Sequence, residues 1–242
     1  METLSIVIPV YNEEERLGKT FQALKNLKLP RELILEKIIF VNDGSCDRSI
    51  ANIKYQISNI KKKLNAPVKI ISYKKNKGKG YAIARGMEVS NSDYTLFCDS
   101  DMSTDLNEIR KFVPSIKRNV PIIIGTRKNG RSTVIRHQTF LRESMGKVFT
   151  FISNVILNTW VTDFTCGFKA YSKEAKNTLF PMLKTDRWGF DAEVIFLGRL
   201  SGFNFVEVPV VWSDDRRSKV NLFVDIPQSL FDILKIRVAY LI

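Results

Sequence analysis

The first half of the chain predicts a doubly wound α/β sheet, and three observations carry that reading. Short apolar, β-branched runs recur at LSIVIPV (4–10), KIIFVN (37–42), VKIISY (68–73), YTLFCD (94–99) and VPIIIGT (120–126). Runs of this kind suit strands buried on both faces of a parallel sheet. Helical stripes lie between them: Leu17, Phe21 and Leu24; then Ile50, Ile53, Ile57, Ile60 and Leu64; then Ile109, Phe112 or Val113, and Ile116. The third observation lies at the strand exits. These read PVYNEEE, NDGSCD, KKNKGKG, DSDMSTD and GTRKNGR, so acidic, glycine-bearing and basic residues collect at one edge. In such sheets ligands bind beyond the carboxyl ends of the strands, which makes the exits the predicted site.

Beyond residue 126 the pattern changes. The spacing predicts a long helix over 140–160 with Leu141, Met145, Val148, Ile152 and Val155 inward, and an irregular segment from Asp163 to Lys173. A second helix is expected over about 191–201, and FNFVEVPVVW (203–212) reads as a strand. No linker or repeat divides the chain, so a single domain is expected. The tail from Leu222 to Ile242 carries Phe223, Ile226, Leu230, Leu234, Val238 and Leu241 on one face, opposite Asp225, Gln228 or Ser229, Asp232 and Lys235. Such a helix either packs on the domain or lies in a membrane interface.

Composition narrows the class. At 242 residues, with 44% apolar and 26% charged content, the chain is that of an ordinary globular protein. No run of about 18 uncharged apolar residues is present, so no membrane span is expected. METLSIVIPVYNEEE has no basic region before its apolar run and does not read as a signal peptide. Cys46, Cys98 and Cys166 lack metal-site spacing and suit a reducing compartment. The net charge is +13, with eleven Lys or Arg and no acid from Arg48 to Met87, and six against the single Glu143 from Arg127 to Lys147. Such fields attract nucleic acid, anionic membrane or phosphorylated substrates. Aromatics do not interleave with the 48–87 stretch as stacking platforms would, which speaks against a nucleic-acid module. NKGKG (76–80) does not fit a P-loop, and no GxGxxG follows a strand, so neither a Walker ATPase nor a dinucleotide enzyme is indicated.

The stretch LFCDSDMSTD (96–105) poses the sharpest question. Carboxylates at Asp99, Asp101 and Asp105 end an apolar run, and two of them one residue apart repel each other. A divalent cation, held by hard oxygen ligands, would account for them. A solvated turn capping the next helix is the plain alternative.

Taken together, the exits resemble glycosyltransferase family 2. The matching residues are Pro9-Val10-Tyr11-Asn12-Glu13, Asn42-Asp43-Gly44-Ser45 with Asp47, Asn76-Lys77-Gly78-Lys79-Gly80 and Asp99-Ser100-Asp101. Gly125-Thr126-Arg127, the segment Asp163 to Lys169, the segment Arg187 to Glu193, and Val206 to Trp212 followed by Ser218-Lys219 are similar to one branch. That branch comprises the dolichyl-phosphate glucosyltransferases and mannosyltransferases. The resemblance implies a single nucleotide-sugar-binding domain of GT-A type over 1–221, with a Rossmann-like, mostly parallel sheet flanked by helices, and an amphipathic juxtamembrane-type helix over 222–242. It implies inverting, metal-dependent transfer of a hexose, glucose favoured, from a nucleotide-diphosphate sugar to a polyprenyl phosphate. Transfer from GDP-mannose and transfer to a saccharide or protein hydroxyl are the alternatives. Three positions depart from the pattern: Asn42 in place of a frequent Asp, Thr165 in place of Gln, and Ser103 where a metal-binding Gln often stands.

On this resemblance the donor falls to Pro9, Tyr11, Asn12, Glu13, Asn42, Asp43, Lys79, Gly80 and Asp99. Mg²⁺ or Mn²⁺ falls to Asp99, Asp101 and Ser103, and Asp101, Arg127 and Arg142 carry the catalysis. A phosphate monoester has a second pKa of about 6, so such an acceptor arrives ionised and needs no general base. Cations must then hold two polyanions together, and Arg127, Arg142 and Lys219 are the expected ligands of the acceptor phosphate. A hydroxyl acceptor would instead need a carboxylate base, for which Asp163, Asp191 or Glu193 could serve. The expected location is the cytoplasmic face of a membrane, held peripherally through 222–242, or the cytoplasm if the tail is truncated.

Overall fold

The computed structural model describes residues 1–215 and 222–240. The first half alternates as the apolar runs require: β1 (Glu2–Val10), α1 (Leu17–Asn26), β2 (Leu33–Asp43), α2 (Ser49–Leu64), β3 (Val68–Tyr73), α3 (Lys79–Val89) and β4 (Tyr94–Cys98). A 3₁₀ turn (Leu106–Lys111) and the short α4 (Val113–Lys117) lead to β5 (Ile122–Thr126). Then come β6 (Thr133–Arg136), α5 (Phe140–Leu157), β7 (Phe168–Ser172), α6 (Lys173–Leu179), α7 (Phe190–Leu200), β8 (Phe205–Pro209), β9 (Val211–Ser213) and α8 (Leu222–Ala239).

Seven strands form the main sheet in the order β3-β2-β1-β4-β7-β5-β8, and β6 pairs with β9 in a small second sheet. All neighbours in the main sheet run parallel except β7, which is antiparallel to both β4 and β5. Chain order reverses between β1 and β4, and their carboxyl ends flank the crevice that such a reversal opens. Two apolar clusters fill the two faces. Leu4, Ile6 and Ile8 of β1 join Leu17, Phe21, Ile53 and Ile60 on one side. Val7 joins Ile83, Phe190, Ile195, Ile233 and Ile236 on the other.

Three elements differ from the sequence reading. The segment expected to be irregular contains β7, whose residue Lys169 is fully buried, and a charge at that place hides the strand pattern. The expected strand 203–212 is two strands in different sheets, because the chain leaves β5 after Pro209 and passes to β6. The third concerns α5, which turns the opposite face inward. Phe149, Thr150, Ser153, Asn154 and Leu157 are buried, whereas Leu141, Val148 and Val155 are exposed. Its buried polar groups are all satisfied: Thr150 and Ser153 donate to the carbonyls of Gly146 and Phe149 within the helix, and Asn154 bonds to Val161 beyond its end. A polar inner face is thus tolerated, and periodicity alone could not reveal it.

Candidate active site

The strand exits meet in a pocket of about 460 Å³, within the ordinary range for small-ligand sites. Asp99 and Asp101, which follow β4, lie in its wall with Ser100 and Ser103. The Lys79 ammonium is 2.7 Å from Asp99 Oδ1. Arg16 is paired with Glu13 through both forks and also stands 3.7 Å from Asp101 Oδ2. The Ser103 N–H donates to Asp101 Oδ1 at 2.9 Å. Burial and then the charge of Asp99 push the Asp101 carboxyl above its ordinary range. For Lys79, burial pulls the ammonium down, but Asp99 and Asp191 outweigh it and hold the group above its usual value.

Gly167 makes room for this arrangement. A Cβ there would stand 2.0 Å from Asp99 Oδ2 and 2.2 Å from its carboxyl carbon. Gly167→Ala is therefore expected to displace Asp99, lowering turnover at least about tenfold, a barrier increase of ~1.4 kcal/mol. The melting temperature should fall little, because the displaced group borders the pocket. Wild-type turnover in the alanine variant would show that Asp99 has no fixed position to lose.

The two carboxylates fit a divalent cation. They face one pocket, their mutual repulsion is what a cation relieves, and a lysine ammonium already stands against one of them. Among the described residues no group of three or more His, Cys, Asp or Glu could form a complete cage. The ion would take Asp99 and Asp101 from the chain and its remaining oxygens from water and substrate phosphate, the usual habit of Mg²⁺.

Cations gather on the pocket wall contributed by the β5 exit and α5. The Arg127 guanidinium is bidentate on Asp163, at 2.7 and 2.8 Å, donates to Thr165 Oγ1 at 2.8 Å and stacks on Trp212. Burial would raise the Asp163 carboxyl, but Arg127 overrides it and holds it well below the usual carboxylate range. Lys128, beside it, donates to the Gly146 carbonyl and Thr150 Oγ1. Burial draws both Lys128 and Arg142 below their ordinary values. Behind this wall Lys169 donates to the carbonyls of Phe164 and Cys166 and pairs with Asp191, which reaches the pocket with Trp188.

The family's profile, described as Glycosyl transferase family 2, matches residues 5–180. The chain belongs to glycosyltransferase family 2. The matched span takes in every exit from β1 to β5 and all of β7, and α7 and α8 lie beyond it. Among curated family 2 relatives, the dolichyl-phosphate beta-glucosyltransferase of Dictyostelium discoideum is 32% identical over 99% of this chain and 75% of its own. The human protein of that name is 29% identical over 98% of this chain and 76% of its own. Among solved structures, glucosyl-3-phosphoglycerate synthase from Mycobacterium tuberculosis in complex with UDP superposes with a TM-score of 0.70 at 17% identity. It covers 98% of this chain and 80% of that one. The same enzyme with Mn²⁺, UDP-glucose and phosphoglyceric acid gives 0.70 at 16% identity, again over 98% and 80%. These structures share the fold, as the GT-A-type reading expects.

Pro9, Tyr11, Glu13, Asp43, Lys79, Asp99, Asp101, Ser103, Arg127 and Arg142 all line the pocket of this family 2 chain. Asp43 does so with its carboxylate occupied, accepting from Asn76 Nδ2 and the N–H groups of Lys77 and Gly78, so it fixes the glycine loop. Three expected donor residues are not in the pocket wall. Asn12 bonds Ser45 and Cys46, stapling the first exit to the second. Asn42 bonds Ser72 and Ser45 beneath them. Gly80 lets α3 approach α7, since a Cβ there would meet Phe190 Cβ at 2.6 Å. Lys219 lies outside the described residues, as do Arg216 and Arg217. Asp105 takes the capping role, accepting from the Asn107 N–H.

Sequence reasoning missed Arg16, Lys128, Trp188 and Trp212, all of which line the pocket. Arg16 was findable, since it stands three residues after Glu13 in the turn that leads into α1, a spacing at which opposite charges meet. The two tryptophans stand in the segments Arg187 to Glu193 and Val206 to Trp212 that carry the family resemblance, but nothing in the sequence assigned them to the pocket.

Proposed function

We propose that the protein transfers glucose, with inversion, from a uridine-diphosphate sugar to a polyprenyl phosphate of dolichyl type. One observation carries the choice of acceptor. The three carboxylates that sequence offered as a base toward a hydroxyl are each committed: Asp163 to Arg127, Asp191 to Lys169, and Glu193 to the Lys184 and Thr185 N–H groups and the Tyr240 hydroxyl. Meanwhile Arg127, Lys128 and Arg142 stand in the same pocket as Asp99 and Asp101. A site rich in cations, in which those three carboxylates are engaged, suits a nucleophile that arrives as a phosphate dianion. The names carried by the curated relatives support the same reading.

In this scheme a phosphate oxygen of the acceptor attacks the anomeric carbon while the bond to the nucleoside diphosphate breaks on the opposite face. Asp99 and Asp101, with Ser103 beside them, would hold Mg²⁺ or Mn²⁺, which when bound would supply Lewis-acid neutralisation of the leaving diphosphate. Arg142 and Lys128 hold the acceptor phosphate. Arg127, fixed by Asp163 and Trp212, sets the positive field between the two polyanions and gives up no proton, since Asp163 keeps its guanidinium charged. Tyr11 and Asp43 border the nucleoside, and Asp191 accepts from the hexose.

No helix among the described residues is long and apolar enough to cross a membrane. Contact with the bilayer is peripheral in this proposal, on its cytoplasmic face and through α8. That helix packs on the domain with Ser229, Ile233 and Ile236 and leaves Phe231, Leu234 and Val238 outward. The two fates open to the tail from its sequence are therefore compatible.

The deciding experiment supplies radiolabelled UDP-glucose, and in parallel GDP-mannose, with polyprenyl phosphate, in Mg²⁺ and in EDTA. Metal-dependent label in the lipid fraction from UDP-glucose is the expected result. Label from GDP-mannose alone would overturn the sugar. Slow donor hydrolysis with no labelled lipid would overturn the acceptor.

A further inference from the structure

α5 is built inside out. Its buried side carries Thr150, Ser153 and Asn154, while Phe140, Leu141, Val148, Phe151 and Val155 face solvent. At about 100° per residue these five fall within about 100° of the helix circumference, a single stripe along its length. α8 packs against α5 and leaves Phe231, Leu234 and Val238 exposed in turn. Relative exposure across the eight runs from 51% at Leu234 to 87% at Phe140. Water gives no reason for a helix to bury hydroxyls and an amide and present its apolar side outward, and contiguous exposed apolar surface of this kind marks an interaction site.

From this stripe we infer that α5 is the principal membrane-docking element of the protein and that its occupant is the headgroup–acyl boundary of an anionic bilayer. Charge selects that occupant. Arg131 and Arg136 are exposed just before the helix, Lys147 on it, and Lys235 on α8, while Glu143 is paired with Lys147. An apolar stripe bordered by exposed cations is the pattern of a helix lying in an anionic interface. A second copy of the chain would fit less well, since a two-fold interface would set these cations against themselves. Position supports the same occupant. The opposite side of α5 walls the pocket through Arg142, Gly146 and Phe149, and α8 reaches it through Ser229. A bilayer against the stripe would deliver a lipid-borne phosphate at the rim of the cationic wall. This purpose rests on the acceptor proposed above; the docking itself does not need it.

The test floats the full chain with phosphatidylcholine vesicles, with and without phosphatidylserine and with no acceptor present. It compares the wild type with the double variant Val148→Glu/Phe151→Glu, whose residues do not line the pocket. The wild type should float with the anionic vesicles, and the variant's partitioning should fall at least about tenfold, since each buried CH₂ adds ~0.8 kcal/mol to membrane affinity. Transfer to a detergent-dispersed polyprenyl phosphate should be unchanged in the variant; if neither protein transfers there, the acceptor reading fails while the docking result stands. A nitroxide on Phe151→Cys, in a Cys46→Ser background, gives a second readout and should become accessible to oxygen and shielded from a polar nickel complex on vesicle binding. Equal flotation of wild type and variant, or a nitroxide that stays in water, would overturn the inference. So would a lipid-free dimer of the wild type that the double variant dissociates.

Discussion

Asp101→Asn is expected to lower glycosyl transfer about a thousandfold while leaving the fold intact. Asparagine keeps the shape and can still accept from the Ser103 N–H, but it removes one of the two negative charges available to a divalent ion. Losing that ion's neutralisation of the leaving diphosphate is a loss of ~4 kcal/mol of transition-state stabilisation, or about three decades in rate. Stability should move the other way or not at all. Burial and Asp99 already disfavour the charged carboxylate, so a neutral amide relieves repulsion, and only the 3.7 Å contact with Arg16 is forfeited. Three readouts separate the effects: turnover, Mn²⁺ affinity by electron paramagnetic resonance, and the melting temperature. Turnover within tenfold of wild type, with Mn²⁺ affinity unchanged, would remove Asp101 from the metal site. A collapse of all three together would make it a structural residue.

The sheet and its exits were legible because each exit carries residues that a buried strand has no other use for. β1 to β5 stood out as apolar runs, and Asp99, Asp101, Lys79 and Arg127 could be placed at one edge from the sequence alone. The errors have physical causes. Asn12, Asn42 and Gly80 belong to the same motifs as the pocket residues, yet their work is holding the exits to one another. Motif membership does not separate a wall from its brace. α5 was misoriented because the rule of apolar side inward assumes water outside, and its inner polar groups find partners in the helix's own carbonyls and in the Thr159–Val161 segment that follows. β7 was hidden by Lys169, a charge in the centre of a sheet that becomes intelligible only beside Asp191, twenty-two positions away.

That same lysine sets the largest stability prediction. Lys169→Met is expected to destabilise the protein by ~3–5 kcal/mol, the usual cost of stripping one partner from a buried ion pair. Lys169 sits within β7, opposite Phe97 on β4 and Ile124 on β5, and is fully buried. Its ammonium has three partners, the carbonyls of Phe164 and Cys166 and the Asp191 carboxylate. Methionine fills the space but leaves a buried carboxylate and two carbonyls unanswered, and desolvated groups of that kind are what make such variants costly. For a chain of 242 residues, at ~2–4 °C per kcal/mol, the melting temperature should drop by ~6–20 °C. The double variant Lys169→Met/Asp191→Leu should recover a substantial part of that loss, because two well-packed apolar groups can replace a buried pair at little cost. It should not recover transfer, since Asp191 lines the pocket and its carboxylate is the group the lysine positions. Calorimetry on the two single variants and the double variant gives the coupling directly. Additive losses would mean that Lys169 and Asp191 act separately. A single variant melting within about 2 °C of wild type, less than the shift expected for 1 kcal/mol, would mean that the pair does not support the sheet on which the site is built.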